Sequence, residues 1–392
     1  MAAAPSPDQI GFDFGSEFVA PEVPRKPASQ TTTRSRSAAT PAPRTPSSAF
    51  AAQPEVSAAS ATTGLNPATP TLTPSAEYPL EHSVQALEQS GQYRVLRRLP
   101  VVNAYPDCAP GDATIRVAVV DTETTGLDPQ RDRIIELSML VVNIHLTTGR
   151  PCGEVLRYGG LEDPQRPIPA EVVKLTGIDD SMVAGHRIDD ASLERALQTV
   201  DVVVAHNAAF DRKFMELRWP FFANVAWGCS VQDIPWKALG HGSVKLEFLA
   251  YEMGWFYDAH RAEIDCRAVL SLLSQPLSLN PDASTSQASG QTGWQLLWQS
   301  VQQPTLRVQA NGSPFESKDA LRQAGYRWDA EDRVWYRLLS ESLMAQEAIW
   351  LQDVVYKGRD ATLAIETVNA TLRYSNRRGP IDYQPLSRWT EA

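Results

Sequence analysis

Four carboxylates and one imidazole, on three short stretches, are the side chains of this sequence best suited to chemistry. Asp121 and Glu123 stand two apart at the end of an apolar run, residues 114–121 (TIRVAVVD). If that run is a strand, the spacing puts both on one face. Two like charges there repel unless a proton or a cation lies between them. Asp211 closes the stretch His206-Asn207-Ala-Ala-Phe210-Asp211 behind the apolar residues 201–205 (DVVVA). It falls in the first turn of an expected helix, where a carboxylate suits the helix dipole. Asp265 lies in His260-Arg-Ala-Glu-Ile-Asp265, on a helix face that continues apolar through Val269, Leu272 and Leu273. Burying it is costly unless it is paired or holds a metal. Taken singly, these stretches have plain readings: a turn pair, a stabilised helix start, a satisfied histidine. Taken together they supply four oxygen donors and no thiol, a set that selects Mg²⁺ or Mn²⁺ over zinc. Four carboxylates in one pocket offset two divalent cations, which suits in-line attack on a phosphodiester. His260 is then placed to take the proton of the attacking water.

The elements that must position these groups are legible in outline. Residues 114–121, 133–144 and 154–161 read as three strands and 201–205 as a fourth, short and buried. Residues 190–199, 208–218, 245–253 and 262–273 carry helical periodicity. Strands followed by alternating helices and strands predict an α/β domain with a mixed sheet. A helical lead-in over 80–110 precedes it, with residues 80–99 read as one or two short helices broken at Gly91.

Around this domain the composition changes. Residues 1–80 hold 16 Ala, 13 Pro, 10 Ser and 10 Thr, too little apolar matter for a core, so 1–79 is expected to be a disordered tail. Arg25, Lys26, Arg34, Arg36 and Arg44 form a basic island in it, read as a solvated linker. Residues 276–293 (PLSLNPDASTSQASGQTG) read as a flexible linker, and 294–392 as a small α+β accessory domain. Its aromatic hairpin carries Tyr326, Trp328, Trp335 and Tyr336 among Arg327, Arg333 and Arg337. Such residues either stack bases and hold phosphates or fill a small core.

The 392 residues carry a formal charge of −10, of which −8 lies in residues 81–275. An acidic domain argues against coating long nucleic acid but not against gripping one chain end. No apolar run approaches the roughly 18 residues of a membrane span, and the N-terminus has no secretory pattern. Cys108, Cys152, Cys229 and Cys266 are scattered, which predicts reduced thiols in a cytoplasmic protein rather than a disulfide framework or zinc site.

In order and spacing, Asp-x-Glu-Thr-x-Gly (121–126), His-Asn-x-x-Phe-Asp (206–211) and His-x-Ala-x-x-Asp (260–265) resemble the DEDDh 3′→5′ exonuclease superfamily. The nearest pattern is that of the epsilon, or proofreading, subunits of bacterial DNA polymerase III. The resemblance covers about residues 115–273 and takes in Pro167-Ile-Pro169 and Leu175-Thr-Gly177-Ile178. It implies an RNase H-like fold, Asp121, Glu123, Asp211 and Asp265 as ligands of two Mg²⁺ (or Mn²⁺), and His260 as general base. It further implies that Thr124 and Thr125 contact the terminal nucleotide while His206, Asn207 and Phe210 shape its pocket. Thr176 stands where the family commonly has His. The implied activity is release of nucleoside monophosphates from single-stranded or frayed DNA 3′ ends in proofreading or repair, with a replicative polymerase as a partner. RNA 3′-end trimming on the same chemistry and a non-catalytic scaffold are the alternatives. The segment from Gln9 to Phe14 (QIGFDF) resembles the hexapeptide that binds the sliding clamp, and a tail presenting it would raise local concentration at the DNA end.

Overall fold

The computed structural model describes residues 78–277 and 290–390. The clamp-like hexapeptide, the basic island and most of the expected linker lie outside them.

The first half of the described chain opens with α1 (Tyr78–Gln89) and β1 (Arg97–Arg98). Of the one or two helices expected before residue 99, one forms: after Gly91, at φ 68°, the chain runs extended and β1 pairs in parallel with a later strand. Three long antiparallel strands follow, β2 (Thr114–Thr124), β3 (Ile134–His145) and β4 (Pro151–Leu161). Then come α2 (Ala170–Thr176), α3 (Asp180–Val183), α4 (Asp190–Leu197), β5 (Val202–Ala205), α5 (Ala208–Arg218), β6 (Ala226–Cys229), α6 (Leu246–Glu252), β7 (Trp255–Phe256) and α7 (Ala262–Leu273). The sheet order is β4-β3-β2-β5-β6, with β5 parallel to β2 and β6 parallel to β5, so it is mixed as expected.

Strand β2 is β-branched and apolar because it is central and covered on both sides. Val117 and Val119 join a core with Leu249, Val269, Leu272 and Leu273 from α6 and α7. Ala118 and Val120 face a second core with Leu193, Phe214 and Met215 from α4 and α5. This alternation decides where the chemistry lies: Asp121 and Glu123 continue the face toward α7, and Thr122 the face toward α5.

The second half comprises α8 (Gly293–Gln302), β8 (Thr305–Gln309), α9 (Lys318–Gln323), β9 (Arg327–Asp329), β10 (Val334–Ser340), α10 (Met344–Trp350), β11 (Thr362–Val368), β12 (Ile381–Pro385) and α11 (Ser387–Thr390). Its strands form an antiparallel sheet, β12-β11-β8-β10-β9, and β9–β10 is the expected aromatic hairpin. Helix α8 starts with a capping box at Thr292 and Gln295, and Trp294, Leu297 and Val301 are buried in the α7-side core. A turn after β11 returns to the first half. There the fully buried Arg212 donates to the carbonyls of Ala370, Thr371 and Arg373. Trp227 N–H, on edge strand β6, donates to Ala370 O at 2.9 Å, and Arg373 pairs with Asp233 at 3.2 Å.

One expectation is overturned. Cys108 and Cys152 form a disulfide, with Cα atoms 5.5 Å apart across 44 residues. The segment before Cys108 runs along β4, with Tyr105 N–H donating to Gly153 O and Val155 N–H to Asn103 O. That pairing brings together two cysteines whose sequence spacing carries no signal. Cys229 and Cys266 are free and buried.

Candidate active site

Asp121, Glu123 and Asp265 converge where β2 meets the N-terminus of α7, with carboxylate oxygens within 4.8 Å of one another. Asp211 arrives from the opposite face of the sheet. Thr122, between the two acids of β2, donates both its N–H (3.0 Å) and its hydroxyl (2.8 Å) to Asp211 Oδ1. The residue between Asp121 and Glu123 thus docks the start of α5 against the strand end. The turn beyond is equally built: Gly126 leaves room for Asp132, whose Oδ2 would lie 2.5 Å from an added Cβ.

Burial raises all four acids, and neighbouring carboxylates raise Asp121, Glu123 and Asp211 further. Asp121 is held well above the ordinary carboxylate range, by burial first, then by Asp211, Asp265 and Glu123. Burial first, with Asp265 and Glu136 behind it, lifts Glu123 to about 8. Asp211 rises to about 7 through burial, against the hydrogen bonds from Thr122. Asp265 rises to about 6, burial outweighing the backbone N–H groups of His260 and Arg261 that its Oδ2 accepts. Such a pocket holds protons or cations, and its all-oxygen donors suit hard divalent ions. The Tyr257 hydroxyl is buried beside this cluster, and its acidity is suppressed by burial first and then by the Asp265 carboxylate it faces.

His260 is exposed at the rim, with its backbone at φ 65°. A non-glycine residue held in the left-handed region marks a position the surroundings over-determine. The N–H bond to Asp265 is part of what fixes it.

The remaining expected residues divide. Thr124 and Thr125 are buried and serve the turn: Thr124 Oγ1 donates to Gly126 O, and Thr125 Oγ1 donates to Asp132 and accepts from Arg133 N–H. His206 is turned inward. Nε2–H donates to Val244 O (2.8 Å), so Nδ1 accepts from the Ser230 hydroxyl (2.7 Å). Burial lowers its pKa to about 4, so the ring stays neutral. Asn207 is exposed in the left-handed conformation at the start of α5. Phe210 is half-buried, with its ring 5.1 Å from that of Phe214.

One participant went unread in the sequence. Glu136 on β3 lies directly across from Glu123 and is buried. It accepts from Arg261 (3.2 and 3.4 Å) and from Ala262 N–H (3.1 Å), the first residue of α7. The helix start has no side-chain cap of its own; Glu136 supplies one from the neighbouring strand. Its signal was a lone acid inside the apolar run of residues 134–144.

A family model described as Exonuclease matches residues 118–273. The chain is 32% identical over 164 residues to the DNA polymerase III subunit epsilon of Treponema pallidum, covering 39% of this chain and 73% of that one. It is 34% identical over 158 residues to the 3′-5′ exonuclease DinG of Bacillus subtilis, covering 38% of this chain but 16% of that protein. The structure of an E. coli ExoI–ssDNA complex in its zinc-bound form aligns at 14% identity and TM-score 0.38, over 58% of this chain and 63% of that one. Among the described residues no helix is long and apolar enough to cross a membrane. The acidic cluster and the sheet that presents it fall inside the matched residues, and the chain belongs to the DEDDh 3′→5′ exonuclease family.

Proposed function

We propose that the enzyme shortens single-stranded or frayed DNA from its 3′ end, releasing nucleoside monophosphates in proofreading or repair. The observation that carries this reading is the convergence of Asp121, Glu123 and Asp265, with Asp211 docked beside them through Thr122. In this reading the four acids hold two Mg²⁺ or Mn²⁺. Bound there, the cations supply Lewis-acid activation of the water and neutralise charge on the scissile phosphate and leaving 3′ oxygen. The chain's own part is geometric and protolytic. Thr122 and the backbone N–H groups of His260 and Arg261 fix the oxygens, and the His260 imidazole takes the proton of the attacking water. Residues 80–275 are the catalytic domain in this proposal and 294–392 the accessory domain. A polymerase and, through Gln9 to Phe14, a sliding clamp are its partners.

The test compares wild type with Asp121→Asn on 5′-labelled DNA and RNA of matched sequence, with Mg²⁺, Mn²⁺ or EDTA. A metal-dependent ladder shortening from the 3′ end of DNA, lost by at least a hundredfold in the variant on the scale of one removed catalytic group, is expected. A ladder on RNA alone would move the enzyme to RNA trimming. No degradation of either by folded, metal-loaded protein would leave a scaffold.

A further inference from the structure

The C-terminal half sorts its aromatic rings in two directions. Tyr326 is buried and stacks on Trp350 at 6.0 Å, and Tyr356 is buried in the same core. Others turn outward at a cost in exposed apolar area: besides Tyr383, Phe315 is 74% and Trp328 51% exposed. Between them lies a chain of contacts. Lys318 Nζ sits 4.2 Å from the Phe315 ring centroid, Arg322 follows one turn later on α9 and lies 5.9 Å from the half-buried Trp335, and Trp335 meets Trp328 edge-on at 5.6 Å. Exposed Arg333, at φ 51°, turns the hairpin beside them. Of the hairpin's acids, Asp329 and Asp332 are engaged by Arg307 and Arg378 and Glu331 is exposed at the turn. Arg322 itself pairs with Asp319 at 3.3 Å, a solvent-exposed pair of the weak kind that a phosphate can displace.

We propose that this strip, Phe315–Lys318–Arg322–Trp335–Trp328, is a second binding site for single-stranded nucleic acid. Rings with one open face stack bases of any sequence, and the adjoining ammonium and guanidinium groups meet the phosphates between them. The contacts of Arg212 and Arg373 fix the C-terminal half on the nuclease half. The strip is therefore a foothold at set separation from the cleft, and a strand bridging both is held more tightly than at either alone. The inference rests on the nuclease reading above for its ligand.

Fluorescence anisotropy of a labelled oligonucleotide of about 20 nucleotides, long enough to span several stacked bases, tests it. DNA and RNA forms are each titrated in EDTA so that none is degraded. Phe315→Ala/Trp328→Ala is expected to weaken binding about tenfold to a hundredfold and to raise KM in Mg²⁺ by a similar factor. Phe315→Trp/Trp328→Phe is expected to keep wild-type binding. Unchanged Kd and KM in the alanine variant, with wild type active, overturn the strip and leave it to a protein partner. Equal loss in both variants also overturns it, since stacking tolerates the conservative pair. Wild type that neither binds nor degrades the oligonucleotide overturns the nuclease reading itself.

Discussion

Removing divalent cations should make this protein progressively less stable between about pH 5 and pH 8, and Mg²⁺ should restore that stability. The reasoning starts from Asp211, which is 2% exposed and carried from 3.8 to about 7 chiefly by burial. A carboxyl whose folded pKa is raised contributes stability that is complete below its unfolded pKa. That stability is lost as pH climbs through the folded value. At 1.36 kcal/mol per pH unit between 3.8 and about 7, Asp211 alone corresponds to roughly 4 kcal/mol, of which roughly 3 falls above pH 5, against a typical 5–15 kcal/mol. Glu123, raised to about 8, and Asp265, raised to about 6, act in the same direction. Their protons are shared with Asp121 and Asp211, so the four do not add. The lowered carboxyls elsewhere, Asp163, Asp179, Asp190, Glu263 and Asp329, act in the opposite sense but below the window. The buried imidazole of His206, held at about 4 against an ordinary 6.5, also opposes the trend and does so inside the window up to about pH 6.5, so the fall is steepest above that. The melting temperature in EDTA is therefore expected to fall by roughly 10 °C across it. Millimolar Mg²⁺ should restore most of the loss near pH 8 and little near pH 5, because there protons already occupy the oxygens. Differential scanning fluorimetry over a pH series, with EDTA or Mg²⁺, reads this directly, and Asp121→Asn should flatten the metal-free slope. Metal-free protein as stable at pH 8 as at pH 5, or an equal Mg²⁺ effect at both, would show that the acids are not packed against one another.

Glu136→Ala strips the start of α7 of its acceptor while relieving repulsion with Glu123. We expect kcat to fall about tenfold, as for one charge-assisted bond of about 1.5–3 kcal/mol partly offset. Glu136→Gln, which keeps an acceptor for Ala262 N–H, should retain most of kcat; steady-state kinetics with both variants checks this, and equal losses would assign Glu136 a role through its charge alone. Arg212→Ala takes a buried guanidinium from Glu216 and from three carbonyls, two of them half-buried and also served by Trp227 N–H and Arg377, an expected cost of about 3 kcal/mol. Urea unfolding would read it, with limited proteolysis opening residues 369–378, and Arg212→Lys should not rescue because an ammonium cannot fork to three acceptors.

What the sequence disclosed and what it hid divide by distance along the chain. Helices α5 and α7, with Asp211 and Asp265 in their first turns, begin and end where periodicity placed them, because a helix is specified by neighbours within a turn or two. Four strands of the first sheet, β2 to β5, were legible for the same reason. The second sheet's β8 and β12 were not, since each is short and defined by partners far away. The cysteine pair, the inward-turned His206 and the Glu136 clamp were hidden alike: each depends on a partner 24 to 126 positions away, brought close by the fold rather than by the local sequence. Glu136 shows what such cases have in common. A strand covered on both faces tolerates an acid only where something answers its charge, so an isolated Glu in residues 134–144 announces a cation or N–H donor from elsewhere. The run names the need, and the His260–Asp265 stretch, which supplies Arg261 and the Ala262 N–H, answers it. Two signals that were each mute about the other are one device, and it holds the helix that carries Asp265.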